Sequence, residues 1–329
     1  MGKSRKRLLT ALKCLLTVFL IGYLFKSGRL DIRAFSPLLS PGSAVVLAAS
    51  ILLVLSQNLI FTKRYKTVIS AAGYEADYKD LFKIVNIGLF FSNFLPSNAG
   101  GDIFRIYYLK SRCAVPIMQG TAITLLDRVL AFLGLLIISF ASFAIVLVLK
   151  GGIAGEFRGN TALLAGGLSA ALFCVISLFL LRIPFFYSFI EKILGKILFG
   201  EKLLPFLCTA RELVKNLKVC FLSLSFAVLG QLLLIAVVVL IAFFMYGGGA
   251  ALAAAAVSGI VLASTILPLT PGNLGVTEFA ADILFGYMGS SGGAAIFLVW
   301  RVITLAFSLL GGFFYLSIDK KILEKDVGG

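Results

Sequence analysis

The chain has 329 residues, 60% of them hydrophobic and 14% charged, with a mean hydropathy of +1.04, whereas soluble domains carry about a quarter charged residues, so a soluble globular protein is excluded. The net charge of +15 sits in short segments beside apolar runs rather than on a soluble module with interleaved aromatics, which argues against nucleic acid and for anionic lipid as the partner. Histidine is absent, and with it the commonest general base and the commonest zinc ligand.

In chain order, six apolar runs are long enough to cross a bilayer as helices, at 8–25, 42–61, 117–149, 161–181, 219–246 and 292–317. The first follows Lys3, Arg5, Lys6 and Arg7 in the manner of a signal peptide. It is long and lacks a small-x-small cleavage site, so it reads as a retained span. Two further apolar stretches, 81–109 and 250–287, are broken in the middle by Pro and Gly. Between the uninterrupted spans, twenty-two Lys and Arg fall on the side of the termini and five on the other. That asymmetry places both termini in the cytoplasm of a multi-pass inner-membrane protein. Each broken stretch must then start and end on one side, as a re-entrant helical hairpin, and the two enter from opposite faces.

The expected fold class is an all-α integral membrane protein, one transmembrane domain over 1–329 made of halves 1–150 and 151–329. Each half has two spans, a broken hairpin and a third span. Three spans is an odd number, so the halves form an inverted repeat. Both breaks carry Leu-Pro with a glycine four residues after the proline: Leu95-Pro96 with Gly100, and Leu267-Pro268 with Gly272. The cysteines Cys14, Cys113, Cys174, Cys208 and Cys220 form no C-x-x-C pair and read as reduced small hydrophobes.

The first break runs Asn93-Phe94-Leu95-Pro96-Ser97-Asn98-Ala99-Gly100-Gly101-Asp102, followed by Arg105. Pro96 stops a helix, and Gly100 and Gly101 let backbone N–H groups converge at the next one, whose N-terminus attracts an anion. Asp102 and Arg105 share a helix face at i and i+3. Asp102 reads equally as a cap or a site residue, and Arg105 is placed in the site. The second break holds Pro268, Pro271, Gly272, Asn273 and Gly275, then Glu278 and Asp282 at i and i+4. An acid near mid-bilayer must face protein or water, because lipid exposure costs roughly 2.5–3.5 kcal/mol.

Arg301 stands nine positions into the last run, about 14 Å along the helix axis, with Thr304 and Ser308 on the same face. There it binds an anion or an internal carboxylate such as Glu278. Asp127-Arg128 opens the third run; Arg128 is read as a headgroup ligand and Asp127 as its positioning partner, and both fit a site in the cavity or the interface. Gln57, Asn58 and Gln231 either line a cavity or bond between helices.

At these residues the chain resembles the lysylphosphatidylglycerol synthase transmembrane-region family, described as flippase-like. The resemblance rests on Asn93 to Arg105, on Leu126-Asp127-Arg128 and on Pro268 to Glu278, and it covers nearly the whole chain. Asn273 departs from it, since a second glycine is usual there. Family members include the membrane half of multiple peptide resistance factors, which flips aminoacylated phosphatidylglycerol, and relatives in polyprenyl-linked glycan or hopanoid pathways. This chain looks like a stand-alone relative without the aminoacyl-transferase domain.

The function expected is transport of an anionic, phosphate-bearing lipid or lipid-linked headgroup. Arg105, Arg128, Arg301, Asn93, Ser97, Asn98, Gly100, Gly101, Gly272 and Asn273 would bind it, and Asp102, Asp127 and Glu278 would position the arginines or take up a coupling proton. No catalytic residue, metal or cofactor is expected, and no Walker loop is present. Two other readings stand beside this one: an integral-membrane enzyme acting on a lipid phosphate or lipid-linked sugar through Glu278 or Asp102, and a scaffold that recruits a partner synthase through 192–218. The partners expected are membrane lipids, a second copy of the chain or a lipid-modifying enzyme.

Overall fold

The computed structural model describes residues 36, 40, 42–94, 100–149, 183–194, 204–266, 270 and 273–326. The spans expected at 8–25 and 161–181, and Ser97, Asn98 and Gly272, lie outside the described residues. Ten α-helices follow in order: α1 (Ser43–Ala71), α2 (Tyr78–Phe94), α3 (Gly100–Cys113), α4 (Ile117–Leu149), α5 (Pro184–Leu194), α6 (Leu204–Lys215), α7 (Leu217–Tyr246), α8 (Gly248–Ala263), α9 (Val276–Tyr287) and α10 (Gly293–Asp326). Among the described residues there is no strand. Among the described residues, four helices are long and apolar enough to cross a membrane, over Ser43–Ala71, Ile117–Val146, Leu217–Tyr246 and Gly293–Ser317. Cys113, Cys208 and Cys220 are free thiols.

The first of these spans corrects the expectation of a helix ending at 61. No Pro or Gly interrupts the chain until Gly73, and Arg64, Tyr65, Val68 and Ile69 continue the buried face of Gln57 and Asn58. The helix stops at Gly73, whose φ of +83° is the left-handed conformation that only glycine adopts at little cost. Gly73 N donates to Ser70 O at 3.0 Å and Tyr74 N to Ile69 O at 3.2 Å, the two bonds of a Schellman cap. Gly289 ends α9 in the same way, with Ser290 N donating to Phe285 O at 2.9 Å.

Two apolar cores hold the bundle. One gathers α7 to α10 around Val237, Ile241, Val257, Phe285 and Phe297. The other joins the end of α1 to α2, α3, α4 and α6 around Tyr65, Leu81, Tyr108, Leu126 and Leu213. Where helices cross closest the residues are small, as packing within a bilayer requires. A Cβ on Gly101 of α3 would enter the Gly88 carbonyl of α2, one on Gly311 of α10 would enter the Asn86 carbonyl, and one on Gly293 would lie 2.5 Å from the Ala281 carbonyl of α9. Ser139 of α4 donates across to Gly259 O of α8 at 2.8 Å.

The packing partners obey an exchange rule. α1 packs on α7; α2 on α10 as α8 on α4; α2 on α3 as α8 on α9; α3 on α4 as α9 on α10. α1 on α2 has its counterpart in α7 on α8, α4 on α7 in α10 on α1, and α1 on α4 in α7 on α10. Swapping α1–α4 with α7–α10 therefore returns the same set of contacts among these eight helices.

Candidate functional site

The two broken stretches meet at a cavity of about 380 Å³. Ser92 and Asn93, at the end of α2, face it from the first break; Thr265 and Asn273 face it from the second. Arg128 of α4, Gln231 of α7 and Trp300, Arg301 and Thr304 of α10 complete its polar wall. A second, more apolar cavity of about 220 Å³ adjoins it through Leu89, Asn93, Leu234, Trp300 and Thr304, and is lined beyond them by Gln57 and Asn58 of α1 and Arg105 of α3.

One ion pair is built twice. Arg128 of α4 grips Asp102 of α3 with both ends of its fork, Nε to Oδ2 at 3.2 Å and Nη2 to Oδ1 at 2.7 Å. Arg301 of α10 donates from Nε to Glu278 Oε1 of α9 at 2.6 Å. Asp102 and Glu278 are each the third residue of the helix that follows a break, where the helix dipole favours an acid. Under the exchange rule α3 becomes α9 and α4 becomes α10, so the two pairs are counterparts. Glu278 also accepts from its own N-cap, Gly275 N, at 2.7 Å. Arg301 Nη2 donates to Asn273 O at 3.3 Å, tying α10 to the second break.

A further pair supports the first. Arg64 of α1 makes a bidentate contact with Asp127, Nε to Oδ1 at 2.7 Å and Nη2 to Oδ2 at 3.1 Å, both side chains 4% exposed. Arg105 lies between the two acids, its Nη1 4.0 Å from Asp102 Oδ1 and from Asp127 Oδ2. Its guanidinium also stands 5.8 Å from the Tyr65 ring, and Tyr65 is held through its hydroxyl to Thr124 at 2.9 Å. Four arginines and three carboxylates leave this assembly with one net positive charge.

Several expectations change. Asp127 positions Arg64, and the partner of Arg128 is Asp102, because adjacent residues on a helix point about 100° apart and reach different neighbours. Arg105 lines the adjoining cavity rather than the one shared by Arg128 and Arg301. Gly100 and Gly101 are buried and line neither cavity; Gly101 is the contact through which α3 closes on α2. Asn93, Asn273, Thr304, Gln57, Asn58 and Gln231 do line the cavities. Asn58 serves both readings offered for it, since its Oδ1 accepts from Asn86 Nδ2 of α2 at 3.1 Å. Arg64 and Trp300 were not singled out by the sequence. Arg64 carried one signal, its place seven residues after Gln57 on an unbroken helical face. Among the described residues no group of three His, Cys, Asp or Glu stands together to hold a metal.

A bundle of membrane-crossing helices around an internal cavity lined by Arg128 and Arg301 defines a multi-pass membrane protein. The chain belongs to the family described as the lysylphosphatidylglycerol synthase TM region, which matches residues 10–312. It is also 35% identical over 94 residues to the UPF0104 membrane protein MJ1595 of Methanocaldococcus jannaschii, an alignment that spans 28% of this chain and 28% of that protein. No solved structure matches the chain.

Proposed function

We propose that the chain is a transporter that moves the phosphate-bearing headgroup of an anionic lipid across the cytoplasmic membrane, with the acyl or prenyl tails left in the bilayer. The observation that carries the reading is the doubled pair: Arg128 and Arg301, each leashed to an acid on a post-break helix, line one cavity. A phosphate offers a guanidinium the same fork geometry as the carboxylate that Arg128 already holds. The arginines would bind the headgroup, and Asp102, Asp127 and Glu278 would orient them or take up a coupling proton.

The architecture fits this work. α2, α3, α8 and α9 have 17, 14, 16 and 12 residues, about 18–26 Å at 1.5 Å per residue and short of the ~30 Å hydrocarbon core. They are read as two re-entrant hairpins, α2 with α3 and α8 with α9. The exchange rule supports an inverted repeat of halves 1–150 and 151–329, with the site where the halves meet. The excess of Lys and Arg supports cytoplasmic termini.

The reading is tested in liposomes carrying a fluorescent anionic phospholipid, with dithionite reporting outer-leaflet probe. Wild-type protein is expected to accelerate transbilayer movement at least tenfold over empty vesicles, and Arg301→Ala to lose most of that gain. Unchanged movement in Arg301→Ala rejects the site; a new lipid product found by mass spectrometry in place of movement favours an enzyme.

A further inference from the structure

The doubled ion pair is in a different state in each of its two copies. The Arg128 and Asp102 side chains keep 48% and 23% of their surface exposed, against 12% and 3% for Arg301 and Glu278. The packing beside each pair differs in the same sense. Gly120 of α4 and Gly293 of α10 each stand eight residues before their arginine. A Cβ on Gly120 would meet α3 first at Ile106 Cγ2, 3.5 Å away, an ordinary contact, whereas a Cβ on Gly293 would lie 2.5 Å from the Ala281 carbonyl of α9. The seam between α3 and α4 is therefore the looser and more open of two equivalent seams.

α2 packs on α10 and α4 on α8, and the cavity lies between these two walls, with Asn93 and Arg301 on one and Arg128 and Leu262 on the other. α3 reaches from α2 to α4 and α9 from α8 to α10, so each short helix bridges the walls. α3 is held firmly to α2: a Cβ on Gly101 would enter the Gly88 carbonyl, and Phe104 stacks on Phe91 with 3.6 Å between ring centroids. Its tie to α4 at the end next to the break is the Arg128 fork on Asp102. At its far end it runs into α4 through the three residues 114–116.

From this we infer that Arg128 is a latch as well as a phosphate ligand: a lipid phosphate that takes its fork displaces Asp102 and frees α3, together with α2, to swing off α4 about the 114–116 connection. The inference rests on the transport reading above and adds the step that opens the site. Phosphate and carboxylate compete for the same N–H pair, and a ligand that binds the unlatched state better shifts the protein toward it. Asp102 keeps a counter-charge throughout. Arg105 stands three residues further along the same helix, its Nη1 4.0 Å from Asp102 Oδ1, and travels with α3 to take over the released carboxylate. The buried, close-packed seam at Arg301 and Glu278 stays shut meanwhile. On the orientation read above, α3 releases at the cytoplasmic end of the site while α9 holds the outer end.

The test joins α3 to α4 in the full chain through Ile106→Cys with Gly120→Cys, since a Cβ on Gly120 lies 3.9 Å from Ile106 Cα, within disulfide reach. Oxidised protein, its cross-link verified by peptide mass spectrometry, is reconstituted with acyl-labelled phosphatidylglycerol, and albumin extraction reports the outer leaflet, with oxidised single-cysteine variants as controls. The lock is expected to abolish the gain over empty vesicles, and dithiothreitol to restore it. In detergent, dihexanoylphosphatidylglycerol should slow formation of the same disulfide by about fivefold or more, the low end of a ligand-to-conformation coupling, and Arg128→Gln should remove that dependence. Undiminished transport by the locked protein, or a cross-linking rate indifferent to the lipid when Arg128 is present, overturns the latch while leaving transport in place. Wild-type protein that moves no lipid removes the transport reading and the latch with it. Should the cysteine pair not fold, hydrogen exchange at the α3 amides of the unmodified chain decides: the same lipid should speed it in the wild type and not in Arg128→Gln, and no acceleration in the wild type overturns the inference.

Discussion

Replacing Asp127 with Ala is expected to destabilise the protein by about 3–5 kcal/mol, because it leaves the Arg64 guanidinium buried with no counter-ion. Arg64 is 4% exposed and pairs with Asp127, and its Nη1 already lacks a partner. Arg105 loses one of its two acids at the same time. The exposed pair Lys215–Glu212, at 47% and 53% exposure, supplies the contrast, since such pairs contribute about 0–1 kcal/mol. Thermal unfolding of detergent-solubilised protein should therefore fall far more for Asp127→Ala than for Glu212→Ala. The double variant Arg64→Met with Asp127→Leu should recover most of the loss, as apolar replacements of buried pairs do. Equal melting of Asp127→Ala and Glu212→Ala would mean that the pair is not sequestered as described.

Glu278→Gln is expected to slow transport while lengthening the stay of lipid on the protein. Glu278 is both a ligand of Arg301 and the competitor of any phosphate for it. A phosphate on the open side of Arg301 would stand roughly 6 Å from that carboxylate, a repulsion on the order of 3 kcal/mol at an effective dielectric of about 20. Removing the charge should slow headgroup release by about a hundredfold. The glutamine oxygen can still accept from Gly275 N, so the start of α9 is preserved. Dithionite traces should show the slower movement, and lipid dissociation from detergent-purified protein should show the longer dwell. Faster release from Glu278→Gln would reverse the role assigned to Glu278.

Much of this was legible because the membrane makes charge conspicuous. Arg301 is an isolated cation in an apolar run, and a stripe with Thr304 could only face the interior; Glu278 follows a Pro-Gly break at the spacing of a capping acid. The long helices α4, α7 and α10 also read directly from hydropathy. Arg64 did not, because it stands beside Lys63 and Lys66 just past the end of an apolar run, where a buried arginine and an interfacial one look alike along the chain. The exchange of partners between Asp102 and Asp127 was equally hidden. It depends on how α3 leans on α4 and α1, set by the close contact of Gly88 with Gly101 and by Tyr65 bonding Thr124. Hydropathy carries no record of such side-to-side geometry, and the exchange symmetry of the helix contacts emerges only once the helices are packed.

The most direct measurement is native mass spectrometry of the protein extracted in mild detergent with its membrane lipid. One phosphate-bearing lipid per chain should remain on the wild type and on a Lys215→Gln, Lys218→Gln control. It should be lost when Arg128 and Arg301, the two cavity arginines, are both changed to Gln. Lipid retained by the Arg128, Arg301 variant, or stripped equally by the surface substitutions, would contradict an anion site shared by the two broken helices.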